Sequence, residues 1–210
     1  MRIVMFSDTH SKHYKIIIPK GDMLIFAGDG EFRDLVEYKE FLDWFEQQPH
    51  KYKILIAGNH DFYLEDETHL LETFSRDIYY LENSGINIEG FNIWGSPITP
   101  EFNNWAFMAK RGDEISQYWD LIPKNTDILI THGPPMCTLD MTMRGEPVGC
   151  WDLSDIVKRI KPKLHVFGHI HSCQGIVEKN GTIYVNASIL NEHYQIEYEP
   201  KVVELKNEEL

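Results

Sequence analysis

Short apolar runs recur along this chain, and each one stops at a polar cluster. Ile3-Val4-Met5-Phe6 runs into Ser7-Asp8-Thr9-His10, Met23-Leu24-Ile25-Phe26 into Ala27-Gly28-Asp29-Gly30, and Lys53-Ile54-Leu55-Ile56-Ala57 into Gly58-Asn59-His60-Asp61. Further on, Ile128-Leu129-Ile130 gives way to Thr131-His132-Gly133, and Leu164-His165-Val166-Phe167 to Gly168-His169-Ile170-His171. Runs of this length, rich in β-branched residues and bounded by glycine and polar residues, predict strands. Their polar ends predict loops at the carboxyl edge of a sheet, where open α/β folds gather ligands.

Between the second and third strands, Leu35, Tyr38, Phe41, Leu42 and Phe45 recur at helical spacing and predict a helix over 33–48 that packs one face on a sheet. A shorter helix is expected over 66–74, with Leu70, Leu71 and Phe74 on its apolar side. Residues 78–98 read as a meander of short strands punctuated at Asn83-Ser84-Gly85 and Glu89-Gly90. The stretch 96–123 is loop-like and closes in a helix over 112–119. A long loop follows over 133–149, then a helix over 151–160 stopped by Pro162. The remainder is β-rich, with strands over 164–167, 175–177, 182–185 and 202–205. No repeat, low-complexity stretch or linker interrupts the chain, so one domain is expected over 1–210. The fold class expected is α/β, two mixed sheets packed as a sandwich flanked by helices.

Composition narrows the partners. A chain of 210 residues that is 42% hydrophobic and 12% aromatic can bury a substantial core. With 20 basic against 33 acidic residues its net charge is −13, which argues against binding a nucleic-acid polymer through its phosphates. Cys137, Cys150 and Cys173 are odd in number and lack CxxC spacing, so neither a disulfide framework nor a thiolate zinc site is expected. Met1-Arg2-Ile3-Val4 enters a strand without a secretory leader, and no apolar run approaches membrane length; a cytoplasmic location without membrane attachment is the expectation.

The polar strand ends offer oxygen and imidazole donors and no sulfur: Asp8, His10, Asp29, Asn59, His132, His169 and His171. Such a set suits manganese, iron or zinc, and exceeds what one structural zinc takes. Two divalent cations are the better fit. Paired ions about 3.5–4 Å apart can stabilise both the attacking and the leaving oxygen of an in-line displacement. Two such cations outweigh the carboxylates of Asp8 and Asp29, leaving a locally positive pocket suited to a phosphate ester.

These motifs, taken in order, resemble the calcineurin-like metallophosphoesterase superfamily, whose pattern of DxH, GD, GNH(D/E), a later His, and GHxH is met from residue 3 to about residue 190. Within it, the wording of Thr131-His132-Gly133-Pro134-Pro135 and Tyr184-Val185-Asn186-Ala187-Ser188 is similar to the MPPED-type phosphodiesterase branch. The resemblance implies one metal held by Asp8, His10, Asp29 and His171, and a second by Asp29, Asn59, His132 and His169, with Mn the first choice. It implies that His60 protonates the leaving oxygen or steadies the phosphoryl charge, with Asp61 orienting it or supporting the site. The implied activity is hydrolysis of a small phosphodiester, a cyclic nucleotide leading, by attack of metal-bound hydroxide. The same site could serve a phosphomonoester or phosphoprotein, and a non-enzymatic metal-stabilised scaffold is the alternative outside catalysis. One departure is visible: Gly30-Glu31 follow Asp29 where an aromatic is expected, and Phe32 comes two places late, so the loop there is expected to differ in shape.

Other residues carry two readings each. Arg111 could clasp a phosphate bidentately or be a solvated charge. Asn186 could touch the site or serve a turn. Trp105 and Phe107 could stack a nucleobase but are expected to form a satellite core. Cys173 is close enough to His171 to be oxidation-sensitive, with inert packing the default. His13, His50, His69 and His193 are expected at the surface, and His165 within the sheet.

Overall fold

Strands covered on both faces need apolar side chains at every position, and the unbroken runs in this sequence are of that kind. The computed structural model describes residues 1–66 and 78–206. Its strands are β1 (Arg2–Phe6), β2 (Met23–Ala27), β3 (Tyr52–Ile56), β4 (Ile78–Tyr80), β5 (Ser84–Ile88), β6 (Phe91–Ser96), β7 (Thr99–Pro100), β8 (Met108–Ala109), β9 (Ile128–Thr131), β10 (Leu164–Phe167), β11 (Gly175–Lys179), β12 (Thr182–Asn186) and β13 (Lys201–Glu204). The helices are α1 (Leu35–Glu46), α2 (Phe62–Asp66), α3 (Asp113–Trp119) and α4 (Trp151–Ile160).

Two mixed sheets result, as the pattern predicts. The first runs β13-β1-β2-β3-β4, parallel except for β13. The second runs β11-β12-β10-β9-β6-β5, with parallel centre strands and an antiparallel hairpin at each edge. Because side chains alternate across a strand, one set of residues, Ile3, Met5, Ile25, Ile54 and Ile56, joins Ile93, Ile128, Ile130, Val166 and Val185 in a single apolar layer. The other set, Val4, Phe6, Leu24, Phe26 and Leu55, shares a cluster with Phe41 and Phe45 of α1. On the second sheet, Leu129 and Phe167 share a cluster with Leu153, Ile156 and Val157 of α4. Helices thus cover the outer faces, and the sheets face each other.

α1 starts at Leu35 because Asp34, in extended backbone, caps it by accepting from Val36 N–H at 2.9 Å and Glu37 N–H at 3.0 Å. α4 stops where Lys161 turns left-handed ahead of Pro162. Residues 78–98 are not one meander. β4 pairs in parallel with β3 in the first sheet, while β5 and β6 form a hairpin in the second. Ser84 and Gly85 lie inside β5 rather than in a turn, and the hairpin turns at Glu89 and Gly90, whose φ angles of 50° and 83° suit a two-residue primed turn. Strand pairing partners lie far along the chain, which local periodicity does not register. The loop over 96–123 contains a short parallel pair, β7 with β8, ahead of α3. The helix expected over 66–74 falls, beyond Asp66, outside the described residues; a short helix precedes it at α2.

Phe41 is fully buried, with ring contacts to Phe26, Phe32, Trp44 and Phe45. Phe41→Ala is expected to lower the unfolding free energy by about 3–5 kcal/mol, read from the midpoint shift of a urea denaturation curve at unchanged slope.

Candidate metal centre

The strand ends converge as the polar clusters predict. Asp8 and His10 follow β1, Asp29 follows β2, Asn59 and His60 follow β3, His132 follows β9, and His169 and His171 follow β10. Backbone hydrogen bonds stitch these loops into one seam between the sheets. Ser7 N–H donates to Ala187 O at 3.0 Å, Asp8 N–H to Gly28 O at 2.9 Å, and Gly168 N–H to His132 O at 2.9 Å. Asp8, His10, Asp29 and His169 all have positive φ, from 41° to 69°. Four non-glycine residues held in that region at one place is the kind of strain that surrounding structure must enforce, and it clusters at functional sites.

Two ligand groups form. Asp8, His10 and His171 place one donor atom each within 4.8 Å of one another, and so do Asp29, His132 and His169. Asp29 lies between them: its Oδ2 is 3.2 Å from His132 Nε2 and 3.8 Å from His10 Nε2. On the far side of their rings, His132 Nδ1 meets Ala27 O at 2.8 Å, His171 Nδ1 meets Asn191 O at 3.1 Å, and His10 Nδ1 meets Glu31 Oε2 at 3.0 Å. A carbonyl or carboxylate on Nδ1 calls for a proton there and turns Nε2 inward as the atom free to coordinate once it has lost any proton of its own. Among the described residues, His10 Nε2, His132 Nε2, and both side-chain polar atoms of Asn59 are buried without a hydrogen-bond partner.

The electrostatics follow from two carboxylates taken out of water. Burial raises the pKa of Asp8, but the hydrogen bond and charge of His171 outweigh it and hold the group at about 2. Asp29 is likewise held well below the carboxylate range, by His132 above all, against its own burial. In return, the charge of Asp29 overcomes burial at His132 and raises it to about 9, and Asp8 does the same for His171. His169 goes the other way, to about 4, through burial and the neighbouring His132.

Asp61 supports this arrangement from beneath. Its Oδ2 accepts from Asp29 N–H at 3.0 Å and Gly58 N–H at 2.8 Å, and its Oδ1 from Glu31 N–H at 2.7 Å. It does not hydrogen-bond the His60 ring among these contacts; it ties the loops after β2 and β3 together. Gly58 is required at that crossing, since a Cβ there would lie 2.3 Å from Asp29 Oδ1 and 2.5 Å from its backbone nitrogen. Asp29 Oδ1 also accepts from His60 N–H at 2.8 Å, which seats His60 beside the cluster with its ring 5.0 Å from His10 and 4.8 Å from Trp105.

A model of the calcineurin-like phosphoesterase family matches residues 1–173. The chain belongs to that family. Metallophosphoesterase domain-containing protein 1 of Homo sapiens is 39% identical over 233 aligned positions, covering 97% of this chain and 71% of the relative. A UPF0046 protein of Caenorhabditis elegans is 33% identical over 220 positions, covering 96% and 74%. Among solved structures, the phosphopantetheinyl hydrolase of Mycobacterium tuberculosis shares the fold, with a TM-score of 0.60 at 13% identity over 91% of this chain and 90% of the other. The chain is a metal-dependent phosphoesterase, and its family binds divalent cations at a dinuclear centre. The partnerless inward nitrogens of His10 and His132, the unpartnered Asn59 amide and the all-oxygen-and-nitrogen donor set fit such cations.

The phosphoesterase opens its site to a cavity of about 420 Å³ whose walls include His60, Phe102, Trp105, Arg111 and Tyr194. Arg111 is exposed on the cavity wall. Its guanidinium donates to Gly149 O at 2.7 Å and Val148 O at 2.8 Å, pinning the end of the long loop. Asn186 is buried and does the same for other loops, donating to Ile170 O at 2.9 Å and Leu139 O at 3.3 Å and accepting from Ser188 N–H. Trp105 faces the cavity, while Phe107 is buried in the core. His165 sits in the sheet, 2.9 Å from Thr131 Oγ1, as expected. His50 is 2% exposed and His13 is half-buried against Phe41 and Trp44 of α1, so neither is a surface histidine; both are covered by tertiary packing. His193 is exposed, and His69 lies outside the described residues. Cys137, Cys150 and Cys173 are all free. Among the described residues no helix is long and apolar enough to cross a membrane. Sequence reasoning overlooked Glu31 on His10 and Tyr194, whose ring lies 4.7 Å from His10 and 5.4 Å from His171. Glu31 was visible only as an interruption of a motif, and Tyr194 carried no signal.

Removing the Asp61 carboxylate leaves three backbone N–H groups unanswered in a buried place. Asp61→Ala is expected to cost about 3 kcal/mol or more of stability, measured by urea unfolding, whereas a residue that merely oriented the His60 ring would leave the midpoint nearly unchanged.

Proposed function

We propose that this phosphoesterase hydrolyses a small phosphodiester at a pair of divalent cations, Mn first among them, with a cyclic nucleotide the leading candidate substrate. The observation that carries the reading is the position of Asp29 Oδ2, within 3.8 Å of an inward nitrogen from each ligand group. Asp8, His10 and His171 would hold one cation, Asn59, His132 and His169 the other, and Asp29 both. When bound, such a pair supplies an activated water and neutralises charge on the phosphoryl oxygens.

The chain's own residues do the rest. The pinned Nδ1 atoms keep His10, His132 and His171 facing inward. His60 stands on the cavity wall, and burial lowers its pKa despite the pull of Asp29, so the neutral ring with a single N–H is favoured. That N–H can donate to the leaving oxygen as negative charge develops there. Phe102, Trp105 and Tyr194 give the cavity aromatic walls on which a flat leaving group can rest. The net charge of −13 and the small cavity favour a compact substrate over a polymer.

Exhaustive chelation is expected to abolish hydrolysis of bis-p-nitrophenyl phosphate, and added Mn²⁺ to restore it; full turnover by the stripped protein would reject the mechanism. His60→Ala should lower kcat by about 10²-fold or more with metal stoichiometry kept. Cyclic nucleotides should outpace phosphopeptides, and a strong preference for p-nitrophenyl phosphate over the diester would reassign the substrate to monoesters.

The free site should also resist cations at low pH. His132 and His171, raised to about 9, are protonated at pH 7 without metal, and those protons must leave when Nε2 coordinates. Metal affinity is therefore expected to climb as pH rises toward 9, with protons released on binding, measured by titration calorimetry at pH 7 in buffers of different ionisation enthalpy.

A further inference from the structure

Glu31 belongs to none of the motifs that define the family, yet it touches the metal-centre histidine His10. We infer that Glu31 is a positioning residue whose carboxylate holds the Nδ1–H of His10 and thereby presents His10 Nε2, unprotonated, toward Asp29. This rests on the reading of the site as a two-cation centre.

Glu31 is fixed before its side chain is considered. Its backbone N–H donates to Asp61 Oδ1 at 2.7 Å, its carbonyl accepts from Ser11 Oγ at 3.2 Å, and its φ is 60°. A non-glycine residue does not rest in that conformation unless contacts on both sides impose it. Gly30 and Glu31 form this bulge, and Phe32 returns to the core against Tyr38 and Phe41. The bulge delivers Oε2 to 3.0 Å from His10 Nδ1.

The consequence for His10 differs from that for its neighbours. His132 and His171 are pinned by main-chain carbonyls, at Ala27 and Asn191, whereas His10 is pinned by an ionisable side chain. A carboxylate on Nδ1–H fixes the ring and makes the opposite nitrogen more basic toward a cation. His10 Nε2 is buried and otherwise unpartnered, 3.8 Å from Asp29 Oδ2. Glu31, His10 and His60 also lie close enough to be a ligand group of their own. That use conflicts with the contact to Nδ1, which occupies Oε2 on the side of the ring away from Asp29.

The test compares Mn²⁺ binding by calorimetry in the wild type, Glu31→Ala and Glu31→Gln, alongside the ¹⁵N shifts of His10 in the Zn²⁺-loaded proteins. Glu31→Ala should weaken one of the two binding events about 10–100-fold and leave the other unchanged. Glu31→Gln, which can still accept through Oε1, should recover most of the loss, and the His10 Nδ1 resonance should keep the signature of a protonated, hydrogen-bonded nitrogen in wild type and Gln variant only. Two unchanged binding events in Glu31→Ala would overturn the inference while leaving the two-cation reading intact. An equal loss at both events that Gln does not rescue would also overturn it, as a general structural effect. A wild type that takes up fewer than two Mn²⁺ would overturn the two-cation reading and this inference together.

Discussion

Two carboxylates, Asp8 and Asp29, are buried at the seam between the sheets with side chains at 0% and 2% exposure. A buried charge is costly unless hydrogen bonds and opposite charge answer it. Much of the local architecture does that. His169 N–H donates to both oxygens of Asp8 at 3.1 Å, His60 N–H donates to Asp29, and Ser7 Oγ reaches Asp8. Asp29 and Asp8 in turn raise the pKa of His132 and His171 to about 9 against their burial. The two buried carboxylates therefore sit in a compensated network of backbone donors and imidazoles.

That network constrains the fold around it. The parallel centre of each sheet directs its loops to one edge, and the two edges must meet for His132 and His169 to lie beside Asp29 and Asp8. Ser7 bridges to Ser188 across the seam, and Gly58 admits Asp29 where no larger residue fits. Asp61 then locks the loops after β2 and β3 from below through three N–H groups. Apolar packing positions the sheets; hydrogen bonds between loops set the last ångström of the site.

Much of this was legible because the signals were local. The runs ending at Asp8, Asp29, Asn59, His132 and His169 are read from β-branched stretches followed by polar punctuation, and the helices at α1 and α4 from spacing of apolar residues. What escaped was non-local. The partner of β4 is β3 rather than its neighbour β5, and nothing in Ile78-Tyr79-Tyr80 says so. His50 and His13 are covered by packing, and Tyr194 reaches His10 only because its loop folds back from the end of the chain. Which of the two roles expected of Asp61 its side chain takes depends on backbone donors brought from two loops, which the sequence beside it does not name.

Arg111 shows how the backbone can hold a charge in place beside a site. Its guanidinium lines the cavity, and taken alone it would be the natural partner of a phosphate. Both hydrogen bonds it makes go to carbonyls of Val148 and Gly149, at the end of the loop over 133–149. Those two residues adjoin α4, and Gly149 N–H is itself held by Asp140 at 3.1 Å, so two of the five guanidinium donors fix a wall of the cavity. Glu101 and Glu192 line the same cavity and add negative charge. A phosphate ester entering this space would meet those carboxylates and the guanidinium of Arg111. On the two-cation reading, cations held around Asp29 would add the positive charge that polarises the ester.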